Sequence, residues 1–237
     1  MKKCDIVYVL KTDFVNNELR YSLRSLENFP HDKVWFVGGQ PNELQPDGRL
    51  AIKQYGDTKW ERVKNMLGRI SVAEDISEDF WLFNDDFFIL KPWTLGEAVY
   101  NGTLSEHIEH IERRHRGVTP YTEQLRACEH ELNEHRCGTL NYAVHCPILL
   151  NKEKVIETLR AFPNNPMFRS LYGNYQNIKG IKHEDCKIVG MNTTIPDNAD
   201  FVSTEDGAFD YGAVGAQIRS MFPNKCRYEE GYEEEHE

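Results

Sequence analysis

Two adjacent aspartates, Asp85 and Asp86, stand where an apolar run ends, between the aromatic residues Phe83 and Phe87. Burying charge in such surroundings is costly unless a partner compensates it. A divalent cation is a natural partner, because Mg²⁺ and Mn²⁺ prefer hard carboxylate oxygens together with substrate phosphates. The alternative is a strand-end turn, since asparagine and aspartate are common turn formers. The pattern therefore predicts either a metal site at Asp85 and Asp86 or a simple turn.

The residues before this pair alternate short apolar runs with amphipathic segments, which predicts a mostly parallel sheet with crossover helices. Residues 5–10 are expected to form a buried strand and residues 33–37 a second one, with a weaker third at residues 50–55. A helix should follow the first strand, because its leucines recur at helical spacing after an asparagine that can cap it. In open α/β sheets ligands bind beyond the carboxyl ends of the strands, where the aspartates would emerge.

Two arginines, Arg20 and Arg24, lie four residues apart on that first helix and therefore share one of its faces. The helix starts near the end of the first strand, where a diphosphate could bind. The alternative is that both arginines are surface residues that pair weakly with acids such as Glu27.

The second half of the chain is less regular. Residues 96–137 are polar, charged and rich in histidine, and we expect a helical insertion there. A helix at residues 152–162 and a strand at residues 186–190 should follow. We expect one catalytic α/β domain over residues 1–228, and a solvated, mobile acidic tail over residues 229–237.

The overall composition restricts the partners. The 237 residues include 28 Lys and Arg against 38 Asp and Glu, so the net charge of −10 repels polyanions and disfavours duplex nucleic acid. No apolar stretch approaches a membrane span, and the first apolar run is too short for a signal peptide. We therefore expect a cytoplasmic protein, with peripheral attachment to the inner membrane face as an alternative. The six cysteines are too sparse for a disulfide framework, so free thiols are expected.

A cluster of cysteine and histidine residues offers a competing metal site. Cys128 and His130, with His135 and Cys137, supply ligand types that zinc prefers. Their spacing is not one of the usual structural zinc patterns, so a solvated helical segment is the favoured interpretation.

Four blocks of the chain, in order, resemble the Stealth family. Residues 17–27 followed by residues 83–88 resemble the family's core motif. His145-Cys146-Pro147 with Phe168-Arg169-Ser170 resembles a later block, and residues 201–206 with residues 221–229 resemble the last one. These proteins are sugar-1-phosphate transferases of capsular polysaccharide synthesis, related to the N-acetylglucosamine-1-phosphotransferase that tags lysosomal enzymes.

The resemblance implies a Rossmann-like, GT-A-like α/β fold that binds a nucleotide-diphosphate sugar, with a UDP-sugar favoured, and a glycan acceptor. It implies Mg²⁺ or Mn²⁺ at Asp85 and Asp86, and catalytic roles for Asp86, His145 and Arg169. The residues that it assigns to substrate binding are Asp13, Asn17, Arg20, Arg24 and Asp206.

Three questions stay open at this point. Either Asp86 or His145 is the base that deprotonates the acceptor hydroxyl, because both residue types can carry out proton transfer. The hydroxyl attacks either the β-phosphorus, which transfers sugar-1-phosphate, or the anomeric carbon, which makes the protein a glycosyltransferase. A third hypothesis is a non-catalytic sugar- or nucleotide-binding or assembly protein, since fold does not imply function. The opening block favours it, because residues 10–13 depart from the family's usual sequence.

Overall fold

The body of the protein is a twisted central sheet covered by helices, which we describe from a computed structural model. The structure describes residues 3–11 and 15–233. The strands are β1 (Asp5–Leu10), β2 (Val34–Gly38), β3 (Gly48–Leu50), β4 (Asp79–Phe83), β5 (Phe87–Ile89), β6 (Val99–Tyr100), β7 (Ile148–Asn151), β8 (Ile181–Lys182), β9 (Lys187–Ile188) and β10 (Phe201–Thr204). The helices are α1 (Asn17–Ser25), α2 (Lys59–Ile70), α3 (Leu104–His115), α4 (Pro120–Glu134), α5 (Lys152–Ala161), α6 (Phe168–Tyr175), α7 (Asp206–Tyr211) and α8 (Ala213–Met221).

The central sheet has the strand order β3-β2-β1-β4-β7. β1, β2, β3 and β4 pair in parallel, and β7 pairs antiparallel with β4. Every residue of β2 is buried, as expected for a parallel strand with both faces covered. Along β1, Ile6 and Tyr8 pack into the core on one face and Val7 into the core on the other. The prediction of a mostly parallel sheet flanked by helices is confirmed.

Two smaller sheets lie beside the central one. β10 pairs antiparallel with β5 and parallel with β9, while β6 pairs in parallel with β8. β4 ends at Phe83, and the turn that follows carries Asp85 and Asp86 before β5 begins. The aspartates therefore occupy the end of a buried strand, as the sequence predicts.

Local capping residues define where several helices begin. The Asn16 side chain accepts a hydrogen bond from the Leu19 backbone N–H at 2.8 Å, so the predicted asparagine cap of α1 is confirmed. Thr58 and Glu61 form a capping box at the start of α2. The predicted helical insertion contains α3 and α4, two helices that pack against each other and against α6.

Two boundaries differ from the sequence prediction. The third strand covers Gly48–Leu50 instead of residues 50–55, because it pairs only with β2 and the residues beyond Leu50 have no ladder partner. The predicted mobile tail does not begin at Glu229, since this residue is 4% exposed and its carboxylate is bound by Arg24. Within the described ranges, no helix is long and apolar enough to cross a membrane.

Candidate active site

Two of the predicted site residues, Asp85 and Asp86, lie at the carboxyl end of β4, next to that of β1. The chain runs outward from β1 to β2 and β3 and then crosses to β4 on the other side, so the strand order reverses between β1 and β4. Ligands of open α/β sheets bind at such a reversal. The Asn16 amide, directly before α1, donates to Asp85 Oδ2 at 2.6 Å and so links the ends of both strands. Burial raises the pKa of Asp85, and the neighbouring charge of Asp86 adds to this shift.

Asp86 is the most enclosed carboxylate of the site. Its Oδ2 atom accepts hydrogen bonds from Lys187 Nζ at 2.5 Å and from Ser203 Oγ at 2.7 Å. Its Oδ1 atom is buried, and none of the described residues forms a hydrogen bond to it. Lys187 also donates to the Thr204 carbonyl. One carboxylate oxygen of Asp86 is therefore hydrogen-bonded within the protein, and the other has no partner among the described residues.

A third carboxylate, Glu18, projects from the first turn of α1 toward the aspartates. It accepts a hydrogen bond from Thr204 Oγ1 at 2.6 Å. Burial raises the pKa of Glu18 to about 8, and the charges of Asp85, Asp86 and Asp206 act in the same direction. Glu18 therefore holds a proton at neutral pH in this state, and a bound cation would favour its ionised form.

His145 and Asp185 form a second ionisable pair next to this cluster. His145 Nδ1 lies 2.9 Å from Asp185 Oδ2, and the His145 backbone N–H donates to Asp185 Oδ1 at 3.2 Å. Burial raises the pKa of Asp185, but the hydrogen bonds and charge of His145 outweigh it and hold that pKa below its ordinary value. Nδ1 bonded to a carboxylate leaves Nε2 as the reactive nitrogen, and none of residues 3–11 and 15–233 occupies Nε2 with a hydrogen bond.

Arg169 lies near both Asp86 and the His145–Asp185 pair. Its Nη1 atom donates to the Cys146 carbonyl at 2.6 Å, and its guanidinium lies 5.6 Å from the centre of the Phe87 ring. The Nη2 atom is buried and has no hydrogen-bond partner in the described part of the chain. Burial lowers the pKa of Arg169, whereas the charges of Asp86 and Asp185 act in the opposite direction.

Arg20 and Arg24, the two arginines of α1, are bonded to glutamates outside the aspartate cluster. Arg24 binds Glu229 through two hydrogen bonds of 2.7 and 2.8 Å, and its Nη1 atom donates to the Phe222 and Pro223 carbonyls. Arg20 pairs with Glu43 at 2.7 Å and Glu229 at 3.2 Å. These contacts hold the C-terminal segment, and the predicted contact of Arg24 with substrate stays a prediction.

The remaining predicted substrate-binding residues differ in position. Asn17 is exposed at the start of α1, and Asn16, its neighbour, is the residue that contacts Asp85. Asp206 is exposed at the start of α7, close enough for its charge to raise the pKa values of Glu18 and Asp85. Asp13 lies outside the described residues.

Three residues of this site were missed by reasoning from sequence: Glu18, Asp185 and Lys187. Glu18 belongs to the first block of the family resemblance. An acidic residue in the first turn of a helix is also explained by its favourable interaction with the helix dipole, so its type and position gave no separate sign of a role in the site. Asp185 and Lys187 flank Cys186 in a short polar segment with no recognisable spacing signal. Only their contacts with His145 and Asp86 distinguish them.

The predicted Mg²⁺ or Mn²⁺ site rests on Asp85 and Asp86. Across the described ranges, no group of three His, Cys, Asp or Glu side chains is arranged to hold a metal ion. The unpartnered Oδ1 atom of Asp86 and the adjacent Asp85 carboxylate fit a divalent cation that takes its other ligands from substrate phosphates and water.

The alternative zinc cluster does not assemble. Cys128 is buried in the core of the helical insertion, and burial raises the pKa of its thiol. His130 pairs with Glu134, and the His135 ring packs against Phe162. These side chains therefore have separate partners, and Cys128 lies in a core and not on a solvated face.

Comparison with solved structures identifies the fold. The structure of the galactosyltransferase LgtC in complex with donor and acceptor sugar analogues matches 95% of this chain and 98% of its own, with a TM-score of 0.51 and 9% sequence identity. The chain has a GT-A fold. The apo form of the glycosyltransferase GlyE from Streptococcus pneumoniae TIGR4 matches 78% of this chain and 46% of its own, with a TM-score of 0.37 and 12% identity. No protein-family model matches the chain, and no curated protein matches its sequence.

The predicted α/β fold of GT-A type is thereby confirmed. The specific resemblance to the Stealth family stays a prediction that rests on the four sequence blocks.

Proposed function

We propose that this protein is a transferase that moves a sugar-1-phosphate from a nucleotide-diphosphate sugar, with a UDP-sugar favoured, onto a hydroxyl of a glycan. The observation that carries this proposal is the proximity of a histidine–aspartate pair to cationic groups with open hydrogen-bonding positions. His145 and Asp185 form the pair, and Arg169 and Lys187 provide the cations. The motif resemblance and the GT-A fold support the same donor class.

On the donor side, the phosphates need their negative charge neutralised. The free Nη2 atom of Arg169 suits this role, because a guanidinium binds phosphate oxygens through directed hydrogen bonds. Lys187 lies on the other side of the site and carries a third ammonium hydrogen beyond those bound to Asp86 and Thr204. A divalent cation held by Asp85 and Asp86 would, when bound, supply further neutralisation of the diphosphate.

On the acceptor side, His145 Nε2 accepts the proton of the attacking hydroxyl while Asp185 holds the ring in the required tautomer. The acceptor oxygen forms a bond to the β-phosphorus. The bond between that phosphorus and the oxygen bridging to the α-phosphorus breaks, and a nucleoside monophosphate leaves. We assign the base to His145 instead of Asp86, because Asp86 Oδ2 is bonded to Lys187 and Ser203 and its Oδ1 is buried.

A second candidate is transfer of the sugar itself, with attack at the anomeric carbon. The fold shared with a galactosyltransferase favours this candidate. The two reactions need the same donor and the same charge neutralisation, but they release different nucleotides.

The released nucleotide is therefore the decisive measurement. The protein is incubated with UDP-, GDP- and TDP-sugars and Mg²⁺ or Mn²⁺, with water serving as acceptor, and the products are separated by chromatography. We expect UMP from a UDP-sugar, and we expect His145→Ala to abolish its release. The control variant His110→Ala, on the exposed face of α3, should retain it. UDP instead of UMP would establish glycosyl transfer, and no product from any donor would support the non-catalytic hypothesis.

A further inference from the structure

Three half-buried rings from three helices meet at the edge of the site. Trp60, at the start of α2, stacks on Tyr121, at the start of α4, with ring centres 5.5 Å apart and planes 17° apart. His107, on the first turns of α3, meets Tyr121 edge-on at 6.1 Å. The exposed Lys59 ammonium lies 5.3 Å from the Trp60 ring. We call Trp60, Tyr121 and His107 the aromatic wall.

The topology places this wall beside His145 and Asp185. β6 and β8 run in parallel, so the segments that leave them start at the same end. The segment after β6 leads into α3 and His107, and the segment after β8 leads to Asp185. The backbone N–H of Leu104, the first residue of α3, donates to the carbonyl of Thr139 at 2.8 Å, in the segment that leads to His145.

The electrostatic interactions agree with this placement. Burial raises the pKa of Tyr121 to about 12, and the negative charge of Asp185 adds to the shift. Burial lowers the pKa of His107, and Asp185 opposes that shift while His145 reinforces it. The charged pair and the aromatic wall are therefore close enough to influence one another.

The polar atoms of the wall are available to a ligand. In the residues that the structure describes, the indole N–H of Trp60, the hydroxyl of Tyr121 and the imidazole nitrogens of His107 form no hydrogen bonds. By contrast, two of the buried tryptophans have their indole N–H groups bonded within the protein, whereas that of Trp81 is buried and has no partner among the described residues. The indole N–H of Trp35 donates to Asp5 at 3.0 Å, and that of Trp93 donates to the Gly96 carbonyl at 3.0 Å.

We propose that the aromatic wall is the acceptor subsite and binds a pyranose ring of the acceptor glycan. A pyranose presents an apolar C–H face and a rim of hydroxyls, which matches rings that combine an apolar body with a polar tip. The inference rests on the proposed function, because a base must reach the hydroxyl that it deprotonates. The residues of α3 and α4 that lie near His145 therefore contact the acceptor. Asp86, Lys187 and Arg169 lie on the donor side of the site.

Intrinsic fluorescence tests the subsite without any requirement for turnover. Trp35 and Trp93 are 7% exposed and Trp81 is fully buried, so Trp60 is the tryptophan that a surface ligand reaches. Lactose, maltose and N,N′-diacetylchitobiose are titrated separately in the presence of UDP and Mg²⁺. We expect at least one disaccharide to change the emission of the wild-type protein.

Substitutions in the aromatic wall test whether the change in emission arises from binding at that surface. Trp60→Phe should lose the signal, and Tyr121→Ala should weaken disaccharide binding about tenfold. Tyr175→Ala is the matched control, because Tyr175 packs against the same helical core but contacts His135 and Phe162. No emission change with any disaccharide, or equal affinity in Tyr121→Ala and the wild type, would overturn the inference.

Donor hydrolysis separates this outcome from failure of the proposed function. Donor hydrolysis by the wild-type protein, with water as acceptor, needs no acceptor subsite and therefore reports on the proposed reaction alone. Hydrolysis by the wild type without disaccharide binding refutes the subsite alone. Disaccharide binding without hydrolysis of any nucleotide sugar refutes the proposed reaction.

Discussion

The two ends of α1 contact two charged clusters that differ in how completely they are paired. At its last turn, Arg24 meets Glu229 and the carbonyls of Phe222 and Pro223, and these four groups satisfy one another. We call them the C-terminal clamp. At its first turn, α1 faces the strand-end cluster, whose members are Asp86, Lys187, Arg169, His145 and Asp185. In that cluster Asp86 Oδ1 and Arg169 Nη2 have no hydrogen-bond partner among the described residues.

This difference in hydrogen bonding helps to distinguish charged residues that stabilise the fold from charged residues that are candidates for ligand binding. Buried polar groups are almost always hydrogen-bonded, so each exception in a folded protein needs a reason. The clamp is complete, and its residues stabilise the fold. The strand-end cluster contains two buried polar atoms without a partner among the described residues, and we propose that its residues bind a ligand. Each cluster includes an arginine that the sequence marks as a substrate-site candidate, but of these two only Arg169 has a buried guanidinium nitrogen without a hydrogen-bond partner among the described residues.

The largest expected effect is on catalysis at the strand-end cluster. Asp185→Asn removes the carboxylate that holds His145 in its tautomer, and we expect the rate of donor cleavage to fall by about 10²–10⁴. The measurement is nucleotide release under saturating donor, with a thermal unfolding curve to show that the variant folds. The exposed substitution Asp210→Asn serves as the control. A wild-type rate in Asp185→Asn would show that His145 is not the base.

The next effect is on stability at the C-terminal clamp. Arg24→Met removes the two shortest hydrogen bonds of the buried Glu229 carboxylate and leaves it only Arg20 and the Cys226 N–H, and we expect the free energy of unfolding to fall by about 3 kcal/mol. Urea unfolding measures it, and activity per folded molecule should be unchanged. Arg20→Met is the matched comparison on the same helix. It should cost about 1 kcal/mol, because its contact with Glu43 is exposed and its contact with Glu229, at 3.2 Å, is longer than those of Arg24. Loss of donor binding in folded Arg24→Met would place Arg24 in the site.

Lys187 sharpens the comparison because it is both a structural partner and a phosphate-binding candidate. Lys187→Met removes the cation from Asp86, and we expect a loss of about 2 kcal/mol in stability together with a higher KM for the donor. Lys187→Arg should restore stability more fully than activity, because a guanidinium cannot reproduce the geometry of an ammonium. A stability loss in Lys187→Met without any change in KM would make Lys187 part of the scaffold only.

The smallest effect is a pH dependence from Glu18. Its pKa is about 8 in the folded protein and ordinary in the unfolded chain, so the folded protein retains a proton that the unfolded chain releases. The free energy of unfolding should therefore fall as pH rises from the ordinary carboxyl range to about 8. We expect the melting temperature to drop by a few degrees over this interval, and Glu18→Gln to reduce the drop. Asp85, whose pKa is also raised, contributes to the remaining slope. An unchanged slope in Glu18→Gln would contradict the assignment.

Much of the fold follows from local sequence. The fully apolar run of β2 predicts a buried parallel strand, and the cap at Asn16 predicts the start of α1. The third strand was placed too late, because an edge strand is defined by its ladder with β2 and not by its own hydrophobic pattern. The tail was placed too early, because an acidic run gives no sign that Glu229 is paired with Arg24.

The sequence by itself determined the parallel sheet, the helical insertion, and the position of Asp85 and Asp86 at the end of a buried strand. The tertiary structure alone decided which charges are paired. Asp185 meets His145 across 40 residues, Lys187 meets Asp86 across 101, and Glu229 meets Arg24 across 205. The spacing of hydrophobic residues shows only which side chains share a face of the same helix or strand. Partners at these separations are brought together only when distant segments of the chain pack in the fold. No local pattern could therefore distinguish Arg24, which is bonded to Glu229, from Arg169, which we propose to bind the donor.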